Sequence, residues 1–241
     1  MDKTNISYCF KGKNVLVVGG SKGIGLGLVH SFHESGACVY YLSRSDISSR
    51  VGTHLKVNLL DVVDLEQALE KIESLEIDIL INCAAINYSK QHDAIDLSEW
   101  DDVFRVNITS VFMICNAVLK SMKFKKFGKI VNVSSIAGRH RSVVSGIHYV
   151  SSKSALIGFT RQLAYEVSQF NINVNVVCPS QTKTDMYFDT MTKDKEMELL
   201  KNIPLGRIAS VDDQIAPIMF LCSDAASYMS GAVVDVNGGQ I

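Results

Sequence analysis

Short apolar runs alternate with longer amphipathic stretches along most of this chain. The runs are rich in β-branched residues, which predicts buried strands. They lie at residues 14–20, 38–43, 54–59, 77–85, 129–135, 172–179 and 232–237. The stretches between them space their apolar residues as one face of a helix does. The predicted helices cover residues 23–36, 64–74, 98–122, 149–168 and 212–222, and a polar loop covers 180–195.

The order of these elements predicts the architecture. Strands that alternate with helices imply right-handed crossovers and a parallel sheet with helices on both faces. We therefore predict one α/β domain over residues 1–241, built on a doubly wound parallel sheet of seven strands. The long third helix is predicted to begin at Ser98 as its N-cap. Its apolar face is predicted to carry Trp100, Val103, Phe104, Val111 and Phe112.

Several small or polar residues fall where the predicted strands end. In a sheet of this kind, ligands bind at the carboxyl ends of the strands, where the strand order reverses. The residues at those ends should therefore share one rim and form one site. They are Gly19, Ser43, Asn58, Ala84, Ser135 and Pro179.

Composition and charge narrow the range of functions. The 241 residues include only three prolines and no linker-like tract, and the net charge of −1 comes from well-mixed acidic and basic residues. This balance argues against a nucleic-acid partner or an anionic membrane surface. Lys123, Lys125 and Lys126 form the one basic cluster, which we interpret as a solvated helix end. We find no leader pattern and no apolar run of membrane-spanning length, so we expect a soluble cytoplasmic protein.

The cysteines and histidines give no indication of a metal site. The six cysteines have no paired spacing, and neither HExxH nor CxxC occurs. We therefore predict no bound metal. Cys38, Cys83 and Cys178 are predicted to be small core residues in a reducing compartment.

The most informative strand end is the glycine-rich turn after the first strand, Gly19-Gly20-Ser21-Lys22-Gly23-Ile24-Gly25. Gly19 can make the tight turn, Gly23 lets the backbone approach a pyrophosphate, and Gly25 lets the helix pack closely on the sheet. The N–H groups at the start of the following helix can bind phosphate. The turn therefore predicts a dinucleotide site, to which Ser21 and Ile24 are also assigned.

The spacing of these glycines, with three residues between the first two, resembles that of the short-chain dehydrogenase/reductase family. Tyr149-x-x-x-Lys153 resembles the active-site motif of that family, and Ser135 precedes it by fourteen residues. Asn107 in VNITSVF matches the family's mid-helix asparagine, and CPSQTKTDM and ASYMSGAVVDVNGG match its later landmarks. The resemblance covers nearly the whole chain. It implies a Rossmann-like fold, a nicotinamide cofactor and association as a homotetramer.

Interconversion of a ketone and a secondary alcohol needs a proton donor for the developing alkoxide. Tyr149 can supply that proton, but the ordinary pKa of a tyrosine, ~10, is high for this role. Lys153 lies one helical turn later, and its charge is expected to lower the pKa of Tyr149. The resemblance implies that Lys153 also holds the nicotinamide ribose, that Ser135 hydrogen-bonds the substrate oxygen, and that Asn107 bends its helix and helps to hold a water. Ser134 remains an alternative to Ser135.

The end of the second predicted strand bears on the choice between NAD and NADP. An Asp or Glu there would bind the adenosine ribose and favour NAD. This chain has Ser43-Arg44, where the guanidinium can fork onto a 2′-phosphate and Ser43 can donate to it. Lys22 can approach the same group, and family members with basic residues at these two places tend to use NADP. We predict NADP(H) as the preferred cofactor and NAD(H) as the alternative, with Asp46 as the competing indication.

The remaining predicted cofactor contacts lie at other strand ends. Asn58 and Leu59 are expected to border the adenine, with Leu59 as an apolar wall. The others are Cys83, Ala84, Ala85, Pro179, Thr182 and Thr184.

The chain departs from the family pattern at three places. Val18 stands where the family usually has threonine, Asn82-Cys83-Ala84-Ala85 replaces Asn-Asn-Ala-Gly, and Pro179-Ser180 replaces Pro-Gly. We interpret Val18 and Cys83 as linked changes, in which an apolar contact replaces hydrogen bonds between central strands, because a buried orphan donor costs ~1–3 kcal/mol. Ala85 adds a methyl near the expected nicotinamide ribose. Ser180 loses the easy positive φ of glycine.

Polar side chains near the catalytic rim favour a polar substrate, such as a sugar-like or hydroxy-acid ketone. Asn87, His140, His148 and Gln181 offer hydrogen-bonding groups. Ile86, the segment 136–148 and the loop 184–200 should complete the pocket. The region near 180–200 is expected to form a mobile lid.

Three functions stay open at this point. The leading hypothesis is an NADP-dependent oxidoreductase for a ketone and its secondary alcohol. A 3-oxoacyl-acyl-carrier-protein reductase is the main rival substrate assignment, with the lysine cluster 123–126 as a docking patch for an acidic carrier. A nucleotide-sensing protein of the same fold is the alternative from another class, and the intact set of Ser135, Tyr149 and Lys153 argues against it.

Overall fold

A parallel sheet runs through the described part of the chain, which is residues 7–47 and 51–241 of a computed structural model. Its strands are β1 (Asn14–Val18), β2 (Cys38–Ser43), β3 (Thr53–Lys56), β4 (Ile79–Asn82), β5 (Gly128–Val133), β6 (Ile172–Pro179) and β7 (Val233–Val236). They lie in the order β3-β2-β1-β4-β5-β6-β7. The order reverses between β1 and β4, which confirms the predicted doubly wound sheet of seven strands.

Helices cover both faces of this sheet. They are α1 (Gly23–Glu34), α2 (Val62–Ser74), α3 (Leu97–Phe104), α4 (Ser110–Lys125), α5 (Ile136–Arg139), α6 (Ile147–Val167), α7 (Asp185–Thr190), α8 (Lys193–Leu200) and α9 (Val211–Cys222). Alternate residues of β1 show why both faces are covered. Val15 and Val17 enter the apolar cluster formed with α1 and α9, whereas Leu16 and Val18 enter the cluster formed with α2 and α4. All four are buried, as expected for a strand between two helical layers.

Several predicted boundaries are longer than the observed strands. β1 ends at Val18 rather than at residue 20, because Gly19 turns the backbone with a φ of 85°. β3 ends at Lys56 rather than at residue 59, and β4 covers four of the nine residues predicted over 77–85. The predicted loop 180–195 contains α7 and the start of α8. β2 and β6 have the predicted bounds.

The long predicted helix begins at a different cap. Asp96, and not Ser98, is the N-cap of α3, because the Asp96 carboxylate accepts the backbone N–H of Glu99 at 2.9 Å. The Ser98 hydroxyl donates to the same carboxylate at 2.6 Å. An aspartate at this position also suits the positive end of the helix dipole.

The helices α3 and α4 are joined by one π-helical turn, Arg105–Thr109, into a single run, Leu97–Lys125. The run has 29 residues and a mean hydropathy of 1.4 in its most apolar window, so by length and composition it could cross a membrane. The expectation that no segment reaches this length is wrong. However, 56 % of that window is buried inside the protein, as in the core helix of a folded domain. Phe112, predicted on the buried face, is 51 % exposed.

The cysteines differ in their environments. Cys178 is buried, as predicted, and Cys83 is half-buried. Cys38 is exposed, contrary to the prediction, because it is the first residue of β2 and lies at the edge of the core. No group of three or more His, Cys, Asp and Glu side chains suited to a metal ion occurs among the described residues.

A chain of buried side-chain hydrogen bonds ties β4, β5 and α6 together. The Asn82 amide donates to Asn132 Oδ1 at 2.8 Å, and the Asn132 amide donates to the Thr160 hydroxyl at 2.9 Å. Thr160 in turn donates to the carbonyl of Leu156 at 2.7 Å. Because all three side chains are buried, this chain fixes α6, which carries the Tyr-x-x-x-Lys motif, against the sheet.

Replacing Asn132 by leucine should lower the free energy of unfolding by about 1–3 kcal/mol, because it leaves the buried Asn82 amide without this acceptor. Urea unfolding followed by circular dichroism measures the change. The double substitution Asn82→Leu with Asn132→Leu removes both amides and should cost less than the sum of the single changes. If the losses in unfolding free energy of the two single variants add up to that of the double variant, the two side chains do not act as a pair.

Candidate active site

A cavity of about 370 Å³ opens at the carboxyl ends of the central strands. It extends from Arg44, just after β2, to Tyr149 on α6 and Gln181 after β6. All the predicted site residues line it except Asn107 and His148. Those that do are Gly19, Ser21, Lys22, Gly23, Ile24, Gly25, Ser43, Arg44, Asn58, Leu59, Cys83, Ala84, Ala85, Asn87, Ser135, Tyr149, Lys153, Pro179, Gln181, Thr182 and Thr184.

The glycine turn has room only for glycine at three positions, Gly19, Gly20 and Gly25, and a Cβ on Gly20 would lie 2.6 Å from the Cβ of Tyr41. Gly19 has a φ of 85°, and a Cβ there would lie 2.8 Å from the Cα of Ala84. A Cβ on Gly25 would lie 2.0 Å from the carbonyl oxygen of Gly19. Lys22 is the N-cap of α1 and makes no side-chain capping bond. The Gly25 N–H bonds to Cys83, so Gly23 and Ile24 supply the N–H groups of the first turn that can face an anion. The turn can therefore hold a pyrophosphate.

The turn after β2 presents a cation to the far end of the cavity. Arg44 lines the cavity with an exposed side chain, and Lys22 lines the cavity from the glycine turn. The hydroxyl of Ser43, predicted to donate to a phosphate, instead donates to the carbonyl of Ser45 at 2.6 Å. A phosphate at this end would therefore be recognised by the two cations and not by the Ser43 proton.

Asp46, the competing indication for NAD, is held away from the cavity. Its carboxylate bonds to the Tyr41 hydroxyl and accepts the backbone N–H of Ile47 at 2.7 Å. Asp46 is not among the residues that line the cavity. It is therefore not placed to bind an adenosine ribose there.

The Tyr149 phenol and the Ser135 hydroxyl meet beside Lys153 at the opposite end. Ser135 is the N-cap of α5, and its hydroxyl accepts the N–H of Ala137 at 3.1 Å. A hydrogen bond also joins Ser135 to Tyr149. The alternative, Ser134, donates its proton to the backbone carbonyl of Lys153 at 2.8 Å. Ser135 is therefore the serine that can serve a substrate oxygen.

Burial controls the titration of the tyrosine and the lysine. It raises the pKa of Tyr149 to about 12, against a smaller lowering by the Ser135 hydrogen bond, and it lowers the pKa of Lys153 to about 8. Lys153 Nζ donates to the carbonyl of Val133 at 2.7 Å and lies 5.7 Å from the centre of the Tyr149 ring. The predicted lowering of the Tyr149 pKa is thus wrong for this arrangement. Tyr149 is a neutral phenol near pH 7, which is the form that can give a proton.

Asn107 lies in the π-helical turn and is buried outside the cavity lining. Its Oδ1 accepts the N–H of Ile86 at 2.9 Å, and its Nδ2 donates to the Ile86 carbonyl at 3.1 Å and to the Ser152 hydroxyl at 3.0 Å. Ser152 in turn donates to the carbonyl of Tyr149 at 2.8 Å. Asn107 therefore joins the segment after β4 to the helix of Tyr149, and its predicted role in holding a water stays a prediction.

Comparison with known proteins decides the family. The sequence matches the family described as short chain dehydrogenase over residues 13–195. The chain belongs to the short chain dehydrogenase family. The membership predicted from the glycine turn and the Tyr-x-x-x-Lys motif is thus confirmed.

Relatives of this short chain dehydrogenase align with it over nearly the whole chain. A 3-oxoacyl-[acyl-carrier-protein] reductase from Aquifex aeolicus is 34 % identical, covering 95 % of this chain and 98 % of that protein. A Beutenbergia cavernae structure with bound NADP, proposed to be a NAD(P) dependent gluconate 5-dehydrogenase, has a TM-score of 0.91 at 28 % identity, covering 96 % and 98 % of the two chains. A Leptospira borgpetersenii short chain dehydrogenase with bound NAD⁺ has a TM-score of 0.90 at 27 % identity, covering 100 % and 97 %.

Two departures of this short chain dehydrogenase from the family pattern do not form the predicted apolar pair. Val18 is opposite Asn82 in the parallel register, so Cys83, one residue later, points to the other face. Val18 packs in the cluster with α2 and α4, whereas Cys83 packs against the cluster with α1 and α9. Only a backbone bond joins them in the described structure, from the Cys83 N–H to the Val18 carbonyl at 3.0 Å.

Ser180 replaces the family glycine without a positive φ. Its backbone N–H donates to the carbonyl of Val236 at 3.1 Å. The substitution therefore stores no left-handed backbone strain at the rim of the cavity.

The structure brings two of the four predicted polar substrate contacts to the cavity. Asn87 and Gln181 line it, and the side-chain oxygen of each is buried without a hydrogen-bond partner in the described structure. His148 is fully buried and lies outside the lining, and its Nδ1 accepts the N–H of Tyr149 at 2.9 Å. His140 is exposed and also lies outside the lining.

The predicted lid region consists of α7 and α8. Tyr187 and Met191 line the cavity from this region. Tyr187 packs with Ile203 and Ile208 in a small apolar cluster separate from the clusters around the sheet. A segment with its own small core is suited to move as a unit, and its mobility stays a prediction.

Two contributing groups were missed from the sequence. The carbonyl of Val133 holds Lys153, and a backbone carbonyl leaves no mark on a residue pattern. His54 on β3 contacts Ser43 on β2, which depends on the register between two parallel strands. The only sequence signal for it was a polar residue at the start of a predicted strand.

Proposed function

We propose that this protein transfers a hydride between NADP(H) and a ketone or its secondary alcohol. The observation that carries the proposal is the meeting of Ser135, Tyr149 and Lys153 in a cavity that also contains Arg44. The nicotinamide supplies or accepts the hydride when the cofactor is bound. In the reductive direction, Ser135 holds the substrate oxygen and Tyr149 gives it a proton.

Lys153 supports this step through its charge. Its pKa of about 8 leaves the ammonium largely protonated at neutral pH. Burial still dominates the pKa of Tyr149, and the Lys153 charge, 5.7 Å from the centre of the Tyr149 ring, would offset part of that burial as the phenol gives up its proton. We also assign Lys153 to the nicotinamide ribose, in line with the family motif that it matches.

The choice of NADP(H) rests on the charges at the other end of the cavity. Arg44 and Lys22 line that end, and Asp46 is turned away from it. A guanidinium can bind a 2′-phosphate with two parallel hydrogen bonds. The Beutenbergia cavernae structure with bound NADP supports this choice, and the Leptospira borgpetersenii structure with bound NAD⁺ keeps NAD(H) as the alternative.

Replacing Arg44 by aspartate should lower the ratio of kcat/KM for NADPH to that for NADH by about 100-fold, because a carboxylate repels the 2′-phosphate and accepts ribose hydroxyls. Steady-state kinetics with both cofactors and one ketone give the ratio. Lys11→Asp makes the same charge change at an exposed site outside the cavity lining and serves as control. An unchanged ratio in Arg44→Asp would refute the assignment of Arg44.

The substrate, the assembly and the location are proposed on separate grounds. Asn87 and Gln181 at the cavity support a polar substrate. The family resemblance implies a homotetramer, and the exposed Phe112 on α4 and Tyr165 on α6 are the candidate contacts of that assembly. The mixed surface charge supports a cytoplasmic protein without a membrane or nucleic-acid partner.

A 3-oxoacyl-[acyl-carrier-protein] reductase is the second candidate, favoured by the Aquifex aeolicus relative. The lysine cluster 123–126 gives it little support as a docking patch, because Lys125 pairs with Asp78 at 2.6 Å and Lys123 lies over the Phe170 ring. Comparing kcat/KM for one 3-oxoacyl group on the carrier protein and on a small thiol tests it. A preference for the carrier above about tenfold would favour this candidate.

A further inference from the structure

We propose that His54 is a specificity-determining residue for the cofactor, because it fixes the turn that presents Arg44 to a 2′-phosphate. The inference rests on the NADP(H) preference proposed above. His54 lies in β3 and does not line the cavity. It would therefore act as a positioning residue, through the backbone of β2.

The imidazole of His54 holds the residue that precedes Arg44. His54 Nε2 lies 3.0 Å from the Ser43 hydroxyl and 3.1 Å from the Ser43 carbonyl oxygen. Since the Ser43 hydroxyl gives its proton to the carbonyl of Ser45, it accepts from His54, and Nε2 carries the imidazole proton. Ser43 and Ser45 flank Arg44, so this network closes the backbone around the arginine.

The ring of His54 is itself held in place by Tyr41. It stacks on Tyr41 with ring centres 4.9 Å apart and planes 13° from parallel. The Tyr41 hydroxyl bonds to Asp46, whose Oδ1 accepts the N–H of Ile47 and lies 3.8 Å from His54 Nδ1. The turn is thus anchored at both ends, at Ser43 by His54 and at Asp46 by Tyr41.

An anchored turn should raise the affinity most for a ligand that forms an ion pair with Arg44. Arg44 is exposed, and ordering a flexible arginine on a flexible turn costs conformational entropy when it binds. A turn that is already fixed avoids part of this cost for a 2′-phosphate. A cofactor with a free 2′-hydroxyl makes no such ion pair, so fixing the turn should help it little.

A histidine that only fills space between β2 and β3 would behave differently. Its loss would loosen the sheet edge and weaken NADP(H) and NAD(H) together. The two roles are therefore separated by the ratio of the two affinities, and not by stability or by activity with one cofactor.

His54→Phe keeps a flat ring for the Tyr41 stack and removes the Nε2 donor. In calorimetric titrations, the affinity for 2′,5′-ADP should fall about tenfold while that for 5′-AMP changes less than about twofold. The ratio of kcat/KM for NADPH to NADH should fall by a similar factor. His54→Gln retains an N–H donor and should recover part of the loss. His33→Phe, the same change at an exposed site on α1, is the matched control and should alter neither ratio.

Equal losses for the two nucleotides, or no loss, would overturn the inference. If His54→Phe does not fold, Tyr41→Phe, which removes the hydroxyl that holds Asp46, is measured on the same nucleotide ratio, and an unchanged ratio overturns the inference. Arg44→Asp separates this inference from the cofactor proposal. A changed ratio in Arg44→Asp but not in His54→Phe overturns the role of His54 alone, whereas a wild-type protein that does not prefer 2′,5′-ADP overturns both.

Discussion

Replacing Tyr149 by phenylalanine should lower kcat for ketone reduction by a factor of ~10² to 10⁴, the usual contribution of a positioned acid. Phenylalanine keeps the ring in its place on α6. The two side chains differ only in the phenol hydroxyl, which phenylalanine lacks. NADPH binding, measured by fluorescence titration, should change by less than about threefold. Loss of turnover with binding retained is the pattern of a catalytic group and not of a folding defect.

Tyr187 offers a matched control for the loss of a phenol from the same cavity. It lines the cavity and is buried, and its hydroxyl bonds to Glu196 on α8 rather than to Ser135. Tyr187→Phe should therefore retain kcat within about fivefold. Turnover retained in Tyr149→Phe would contradict the role assigned to Tyr149. A wild-type protein that binds NADPH but turns over no ketone or alcohol would favour the nucleotide-sensing alternative.

The parts of the site that the sequence predicts are those fixed by local geometry. Tyr149 and Lys153 are four residues apart, so one helical turn brings them to the same face whatever surrounds the helix. The glycine turn follows a strand and begins a helix, and both of its ends are visible in the pattern of apolar residues. Topology then follows, because alternating strands and helices leave few ways to connect a parallel sheet.

The parts that the sequence does not predict depend on contacts between distant residues. The pKa of Tyr149 is set by burial and not by the charge of Lys153, and burial at that point depends on the whole fold. The bond from Lys153 to Val133 joins positions twenty residues apart. The network of His54 and Ser43 depends on the register of β2 and β3, which no residue pattern in either strand specifies.

One error could have been avoided from the sequence. Val18 and Cys83 occupy adjacent strands, but each strand alternates its side chains between the two faces of the sheet. Aligning the ends of β1 and β4 places Val18 beside Asn82. Because Cys83 is the next residue after Asn82, its side chain points to the opposite helical layer. An apolar substitution on each strand therefore does not imply a contact between the two side chains.

Replacing Gly25 by alanine should have the second large effect, on the dinucleotide site itself. The added Cβ would lie 2.0 Å from the Gly19 carbonyl oxygen and 2.9 Å from the Gly19 carbonyl carbon. These are backbone atoms of the turn, so relieving the contact would require the turn itself to move. We expect NADPH binding to weaken at least about 100-fold, as for a displaced binding group, and the free energy of unfolding to fall by about 3 kcal/mol from overpacking.

Gly158 supplies the matched control for this substitution. It lies in the interior of α6, is exposed, and has nothing within 4 Å of the position that a Cβ would take. Gly158→Ala should therefore raise the free energy of unfolding by about 1 kcal/mol through helix propensity and leave NADPH binding unchanged. Urea unfolding and fluorescence titration of both variants give the comparison. Tight NADPH binding by a folded Gly25→Ala protein would show that the turn does not hold the pyrophosphate, because the same methyl group cannot fit the turn and leave its N–H groups in place.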